Sequence, residues 1–238
     1  GPLCDGDTPL LPHEDLKLLA EFAATDEWVL EPGDILYVPP GFAHNGVAVG
    51  SDCMTYSVGF RAPSRSDLLG HFVDDVLDGI PDDELYRDPD LARQANPGEI
   101  LPDALGRLQQ MMLESLSDPA SFARWFGTFN STPKYADMDW QPETPVEPED
   151  VRASINDAVP LLRNPASRMV FIANGDDALM LFADGICFDC VGETAAVAKI
   201  LCAQDSVILD AALASAPAVV DLLTQLCNMG CIAFESEE

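Results

Sequence analysis

Between Leu30 and His44 the chain reads Leu-Glu-Pro-Gly-Asp-Ile-Leu-Tyr-Val-Pro-Pro-Gly-Phe-Ala-His. Pro32-Gly33 and Pro39-Pro40-Gly41 each impose a reversal, because proline presets φ for a turn and glycine takes positive φ at no steric cost. Asp34 to Val38, between them, are too few for a stable helix and read as a strand. His44 then opens the next strand, at a rim where side chains can converge on a metal.

Alternation sharpens this reading. On the strand from His44, Gly46 and Ala48 share the imidazole's face, while Asn45, Val47 and Val49 face the other way. On the next, Cys53, Thr55, Ser57 and Gly59 make one face, and Met54, Tyr56, Val58 and Phe60 the other. A solvated strand face usually carries longer, charged side chains. Small polar groups suit a cavity for a small polar ligand, with the bulky face packed outward on neighbouring elements.

Charge limits the partners. Twelve Lys and Arg against 41 Asp and Glu leave a formal charge of −29 in 238 residues. A phosphate-tracking partner is disfavoured, since neutralising phosphates takes clustered cations, and an anionic membrane surface is disfavoured for the same reason. A basic polypeptide would be drawn in. With 47% hydrophobic residues the chain has enough apolar material for a packed core. No apolar run approaches the ~18 residues of a membrane helix, and no charged-then-apolar leader opens the chain, so a cytoplasmic protein is expected. Seven cysteines, an odd number, read as reduced thiols. Cys187-x-x-Cys190 lacks the second pair a structural zinc site needs, and no metal is expected there. The chain opens Gly1-Pro2 rather than Met, so its natural N-terminus is expected to lie further upstream.

Texture divides the chain. Residues 1–27 read as loop and a short helix led by Pro12-His13-Glu14-Asp15, with Leu16, Leu18, Leu19 and Phe22 on one face. Residues 62–141 are helical. Ser64 and Asp67 cap a helix over 64–78, and further helices fall near 101–117 and 119–129. Residues 141–149 hold three prolines and form a stiff linker. Beyond it, over 150–238, come a short helix at 149–158, strands at 168–174, 178–183 and 186–191, helices at 193–203 and 206–226 (with a possible break near Pro217), and a last strand at 231–235. Small helices with a hairpin resemble a winged helix. From Met169 onward, however, the only basic residue is Lys199, against eleven acidic ones, so direct DNA binding is not expected.

The spacing Gly33, Pro39, Gly41, His44 is the second motif of the cupin barrel. Together with Tyr56-Ser57-Val58-Gly59-Phe60-Arg61-Ala62-Pro63 it resembles the bacterial JmjC-type ribosomal oxygenases. Met111-Met112-Leu113-Glu114 and Trp125-Phe126-Gly127 sit where that family has a helical dimerisation region. The resemblance implies an α+β chain in three parts: a partial double-stranded β-helix (cupin/JmjC) barrel over 1–61, a helical dimerisation region over 62–141, and a winged-helix-like domain over 150–238. It implies Fe(II) and 2-oxoglutarate as cofactor and co-substrate, and hydroxylation of an arginine side chain on a large-subunit ribosomal protein. By the same resemblance His44 is the distal metal ligand, and Ser57 and Thr55 meet the far carboxylate of 2-oxoglutarate. A homodimer is expected, built on the apolar helices at 64–78 and 101–129.

One feature departs from the family. Its H-x-D ligand pair lies roughly sixty residues before the distal histidine, and here only 43 residues precede His44. His13-Glu14-Asp15 spells H-x-D but stands at an expected helix start, where Asp15 would act as a cap. His71 reads as a surface or interface histidine. About four strand candidates precede residue 62, and a closed barrel needs about eight. The expectation is a C-terminal portion of such an oxygenase, without a complete iron site of its own. The competing expectation is a non-catalytic dimeric scaffold with a degenerate cupin barrel.

Overall fold

A computed structural model of the chain describes every residue except 14–15, 60–61, 82–84, 88, 90–92, 135–137 and 236–238, with the side chains of 213 and 214 also outside the description. It divides into two compact units, Gly1–Ala62 and Pro63–Glu238.

In the first unit, β1 (Leu10–Leu11) pairs antiparallel with β2 (Leu18–Leu19), Leu10 opposite Leu19. The helix expected from Leu16 does not form, because seven residues are too few to offset the cost of nucleation and two leucines pair instead. The His13 ring accepts the Leu16 N–H through Nδ1 at 3.0 Å. Both Pro-Gly reversals are present. The Asp34 N–H donates to the Glu31 carbonyl across Pro32-Gly33, with Gly33 at φ +99. The Phe42 N–H donates to Pro39 across Pro40-Gly41, with Gly41 at φ +83. Both have the type II arrangement, proline first and a left-handed glycine second.

The strands expected at 34–38, from His44, and at 53–60 are not formed among the described residues. A strand exists through a neighbour that takes its N–H and C=O groups, and among the described residues no strand lies alongside these segments. The bulky face expected to pack outward is bare: Met54, Tyr56 and Val58 are 76%, 85% and 78% exposed.

The second unit begins with α1 (Arg65–Gly79), capped as the sequence predicts. Ser64 Oγ accepts the Asp67 N–H at 3.0 Å, and the Asp67 carboxylate accepts the Ser64 N–H. Next come α2 (Pro102–Leu116) and α3 (Pro119–Ser131), the latter capped by Asp118, which accepts from the Ala120 and Ser121 N–H groups. Phe72 of α1 meets Phe122 and Trp125 of α3 at ring separations of 5.2 and 5.0 Å, and the exposed His71 ring lies tilted against Phe129 at 5.1 Å, a surface role as expected. Phe72 is the only buried residue of α1 and α2; Leu69, Leu77, Leu105 and Met112 are exposed.

The remaining elements are α4 (Pro148–Asn156), β3 (Leu161–Arg163), β4 (Met169–Ala173), β5 (Ala178–Ala183), β6 (Ile186–Val191), α5 (Glu193–Ala203), β7 (Ser206–Val207), α6 (Ala211–Ala214), α7 (Pro217–Asn228) and β8 (Ile232–Phe234). They form two three-stranded sheets, β4-β5-β6 and β7-β3-β8. The β5–β6 turn is Asp184-Gly185 with φ of 45 and 85, the positive pair of a type I′ hairpin. The expected helix over 206–226 is three elements. Ser206-Val207 pairs with β3, Asp210 caps α6, and Pro217 starts α7, where its missing N–H costs nothing. The three-residue β3 escapes sequence reading because so short a Leu-Leu-Arg run carries no period.

The core joins both helices and sheets: Val151, Leu161, Leu181, Val197, Val219 and Leu223 are among its fully enclosed members. α3 seats on the opposite face of β4-β5-β6, with Gly127 directly against the Phe182 ring. The proline-rich stretch is tied to α7, Val146 exchanging two hydrogen bonds with the Asn228 amide at 2.8 and 3.0 Å.

Candidate metal centre

The two type II turns bring the chain to His44. Just before it, residues 41–43 pair with the start of the chain. The Cys4 N–H donates to the Gly41 carbonyl at 2.7 Å, the Ala43 N–H donates to the Pro2 carbonyl at 3.0 Å, and Leu3 stands opposite Phe42. Gly41 is needed on two counts: its φ is positive, and a Cβ there would press on the Leu3 side chain at 3.2 Å.

His44 Nδ1 lies 3.3 Å from the Phe42 carbonyl. A carbonyl only accepts, so as a hydrogen bond this contact requires the proton on Nδ1. In the neutral ring Nε2 is then the nitrogen with a free lone pair, the form a metal ligand takes. That contact orients the ring from within its own loop.

The rest of the expected site is not gathered. His44, Thr55 and Ser57 are all exposed, and neither hydroxyl lies on a strand. The expected hollow beside the imidazole, lined by the small polar face, is absent among the described residues, for the reason the strands are: nothing pairs with the segment that would wall it. No group of three or more His, Cys, Asp or Glu able to hold a metal occurs among the described residues. Among the described residues the donor set at this site is one imidazole, whereas an iron site of the two-His-one-carboxylate kind needs three ligands on one face. Of the H-x-D triplet, His13 is engaged with the Leu16 amide, and residues 14–15 lie outside the described residues.

The cysteines behave as thiols; all seven are free. Cys187 and Cys190 are three apart on β6, so their side chains leave opposite faces of the sheet, and one ion cannot be held between them. Cys190 is buried against the core. Cys187 faces α3, where Arg124 forms an arrangement that sequence reading missed. Its guanidinium donates to Cys187 Sγ at 2.9 Å and to both oxygens of Asp189 at 2.8 and 3.0 Å. The partners are over sixty residues apart; the only local signal is that Cys187 and Asp189 alternate onto one face. Burial pushes the Cys187 thiol up, with Arg124 pulling the other way.

The JmjC domain family matches residues 2–68, and the ROXA-like winged helix matches residues 114–233. Ribosomal protein uL16 3-hydroxylase of Escherichia coli (strain K12) is 39% identical over 174 residues, 73% of this chain and 45% of that protein. The X-ray structure of E. coli ycfD superposes with a TM-score of 0.79 at 30% identity, covering 99% of this chain and 61% of that one. YcfD in complex with cobalt and 2-oxoglutarate gives 0.76 at 33% identity, covering 94% and 60%. The matched part of the chain thus covers less than half the length of this curated relative and about three fifths of each ycfD structure. With a JmjC segment carrying His44 followed by a ROXA-like winged helix, the chain belongs to the bacterial JmjC-type ribosomal oxygenases.

Proposed function

We propose that this chain is the C-terminal part of an Fe(II)- and 2-oxoglutarate-dependent oxygenase that hydroxylates an arginine side chain of a large-subunit ribosomal protein in the cytoplasm. The observation that carries the reading is His44, delivered by two type II turns and oriented with Nε2 free. A relative of the same family holds cobalt, a stand-in for iron, together with 2-oxoglutarate.

In this reading Nε2 of His44 is the distal ligand, and the hydroxyls of Ser57 and Thr55 receive the far carboxylate of 2-oxoglutarate. The H-x-D pair and the basic partner of the co-substrate belong to upstream strands. Those strands would also cover the bare apolar row of Met54, Tyr56 and Val58. Bound iron supplies the open positions for 2-oxoglutarate and O2. The chain's own part is to fix one ligand's tautomer and direction. The formal charge of −29 favours a basic ribosomal protein as substrate, speeding encounter at low salt.

The three-part division (1–61, 62–141, 150–238) belongs to the same proposal, with α3 packing on the sheet of the last part. A second copy would cover Leu69 and Leu77 of α1 and Leu105 and Met112 of α2.

The test is to express this chain alone, and again with the coding sequence upstream of Gly1, and to measure iron-dependent succinate release with a basic large-subunit ribosomal protein. Succinate is expected from the longer polypeptide only, and His44→Ala in it should abolish release. Release by this chain alone would overturn the proposal. An upstream sequence without H-x-D about sixty residues before His44 would favour the scaffold reading. Light scattering tests the dimer, and a monomer at micromolar concentration would remove that part.

A further inference from the structure

β6 is an edge strand: β5 pairs with it on one side, and among the described residues no strand pairs on the other. The antiparallel ladder fixes which groups are left over. The Gly192 N–H turns toward the β4–β5 turn, bonding the Asp177 carbonyl at 2.8 Å, whereas the Val191 N–H turns away to Thr194 Oγ1 at 2.9 Å. Alternation then directs the backbone N–H and C=O of Cys187 and Asp189 outward, away from β5.

Beside this edge runs a groove of about 460 Å³ between β6 and α7. Phe188 and Leu222 contribute apolar lining, and Asp189, Asp221 and Gln225 contribute polar groups. Natural sheets blunt their edges with Lys, Pro or a bulge. Ile-Cys-Phe-Asp-Cys-Val has none of these, and its end residues Ile186 and Val191 are 49% and 68% exposed. The one charge it carries is acidic.

We propose that the edge of β6 and the adjoining groove dock an extended, Lys- or Arg-bearing polypeptide segment as an added strand. Such a strand alternates its side chains. On the α7 side apolar ones meet Phe188 and Leu222 while cationic ones reach Asp221. On the other side they approach Asp189, whose charge is shared with Arg124.

Charge selects the occupant. From Met169 onward one basic residue stands against eleven acidic ones, so nucleic acid and acidic peptides are repelled. A second copy pairing β6 with β6 would set Asp189 and Asp221 against the same residues of its partner, and like charges facing each other oppose pairing. The groove lies wholly within Pro63–Glu238, so its test is independent of the iron centre.

The experiment uses the full chain and fluorescein-labelled octapeptides read by anisotropy at low salt. Three peptides are compared: alternating Lys-Val, the same with alternate backbone N-methylation, and alternating Glu-Val. The Lys-Val peptide is expected to bind and the Glu-Val peptide not to. N-methylation keeps the charge but removes strand donors, and should weaken binding by ~10-fold or more. Asp221→Lys should weaken the Lys-Val peptide by a similar ~10-fold, while Asp157→Lys, the same charge change outside the groove, should leave it within ~2-fold. Circular dichroism confirms that both variants fold. Equal binding of the N-methylated peptide, equal loss in both variants, or no binding of the Lys-Val peptide overturns the proposal.

Discussion

Replacing Gly127 with alanine probes how α3 is seated on the sheet. A Cβ built there lies 2.3, 2.3 and 2.5 Å from three ring carbons of Phe182, where ordinary contact begins at 3.4 Å. The ring would have to retreat by 3.4 − 2.3 = 1.1 Å, and Phe182 is 0% exposed, so it cannot retreat into solvent. Overpacking of this kind costs about 1–3 kcal/mol, and a clash this deep belongs at the upper end. Alanine in mid-helix returns about 1 kcal/mol. The net expectation is a loss of about 2 kcal/mol, read in urea unfolding, with Tm falling by roughly 4–8 °C. Phe182→Leu removes the clashing ring at a cost of about 1–2 kcal/mol by itself. With the ring gone, Gly127→Ala should become nearly neutral, a coupling of about 2 kcal/mol in the double-mutant cycle. An alanine variant at least as stable as the parent, or a cycle without coupling, refutes the seating.

Other expectations concern caps and thiols. Hydrogen bonds from Ser121 and Ala120 hold the Asp118 carboxyl below the ordinary 3.8, so the cap's contribution is complete above that value and is lost as pH falls through the lowered one. Asp118→Ala should therefore lower Tm at pH 7, and the difference from the parent should shrink as pH falls through the acid range. Ser64→Ala should cost about 1 kcal/mol by uncapping α1, while Ser64→Asp should largely retain stability. Alkylation followed by mass spectrometry should label exposed Cys53 first. Cys227, pushed by burial to about 11, and Cys231, pushed to about 12, should react only on unfolding. Arg124→Met should change stability by less than about 1 kcal/mol, because the pair it forms with Asp189 is half exposed.

Much of this protein is legible from local rules. The caps of α1 and the start of α7 follow from which side chains satisfy or spare a backbone N–H within a few residues. The bounds of β5, β6 and α5 fall as expected because an Asp-Gly turn and a change of period mark them. The turns delivering His44 follow from Pro-Gly chemistry alone, and their spacing carries the family. Each of these is decided over a handful of neighbouring residues.

Other features depend on partners distant in the chain. Leu161–Arg163 is a central strand only because Ser206-Val207 and Ile232–Phe234 flank it. That pairing breaks the apparent long helix before Pro217. Arg124 meets Asp189 only because α3 lies across the sheet. The small-and-bulky alternation over 44–59 is a real pattern, yet it yields no strand without a neighbour to accept its backbone bonds. A single imidazole likewise makes no iron site. Periodicity can orient side chains, whereas pairing, burial and coordination require a second surface, which tertiary contact supplies to the winged-helix unit and, among the described residues, does not supply to residues 44–59.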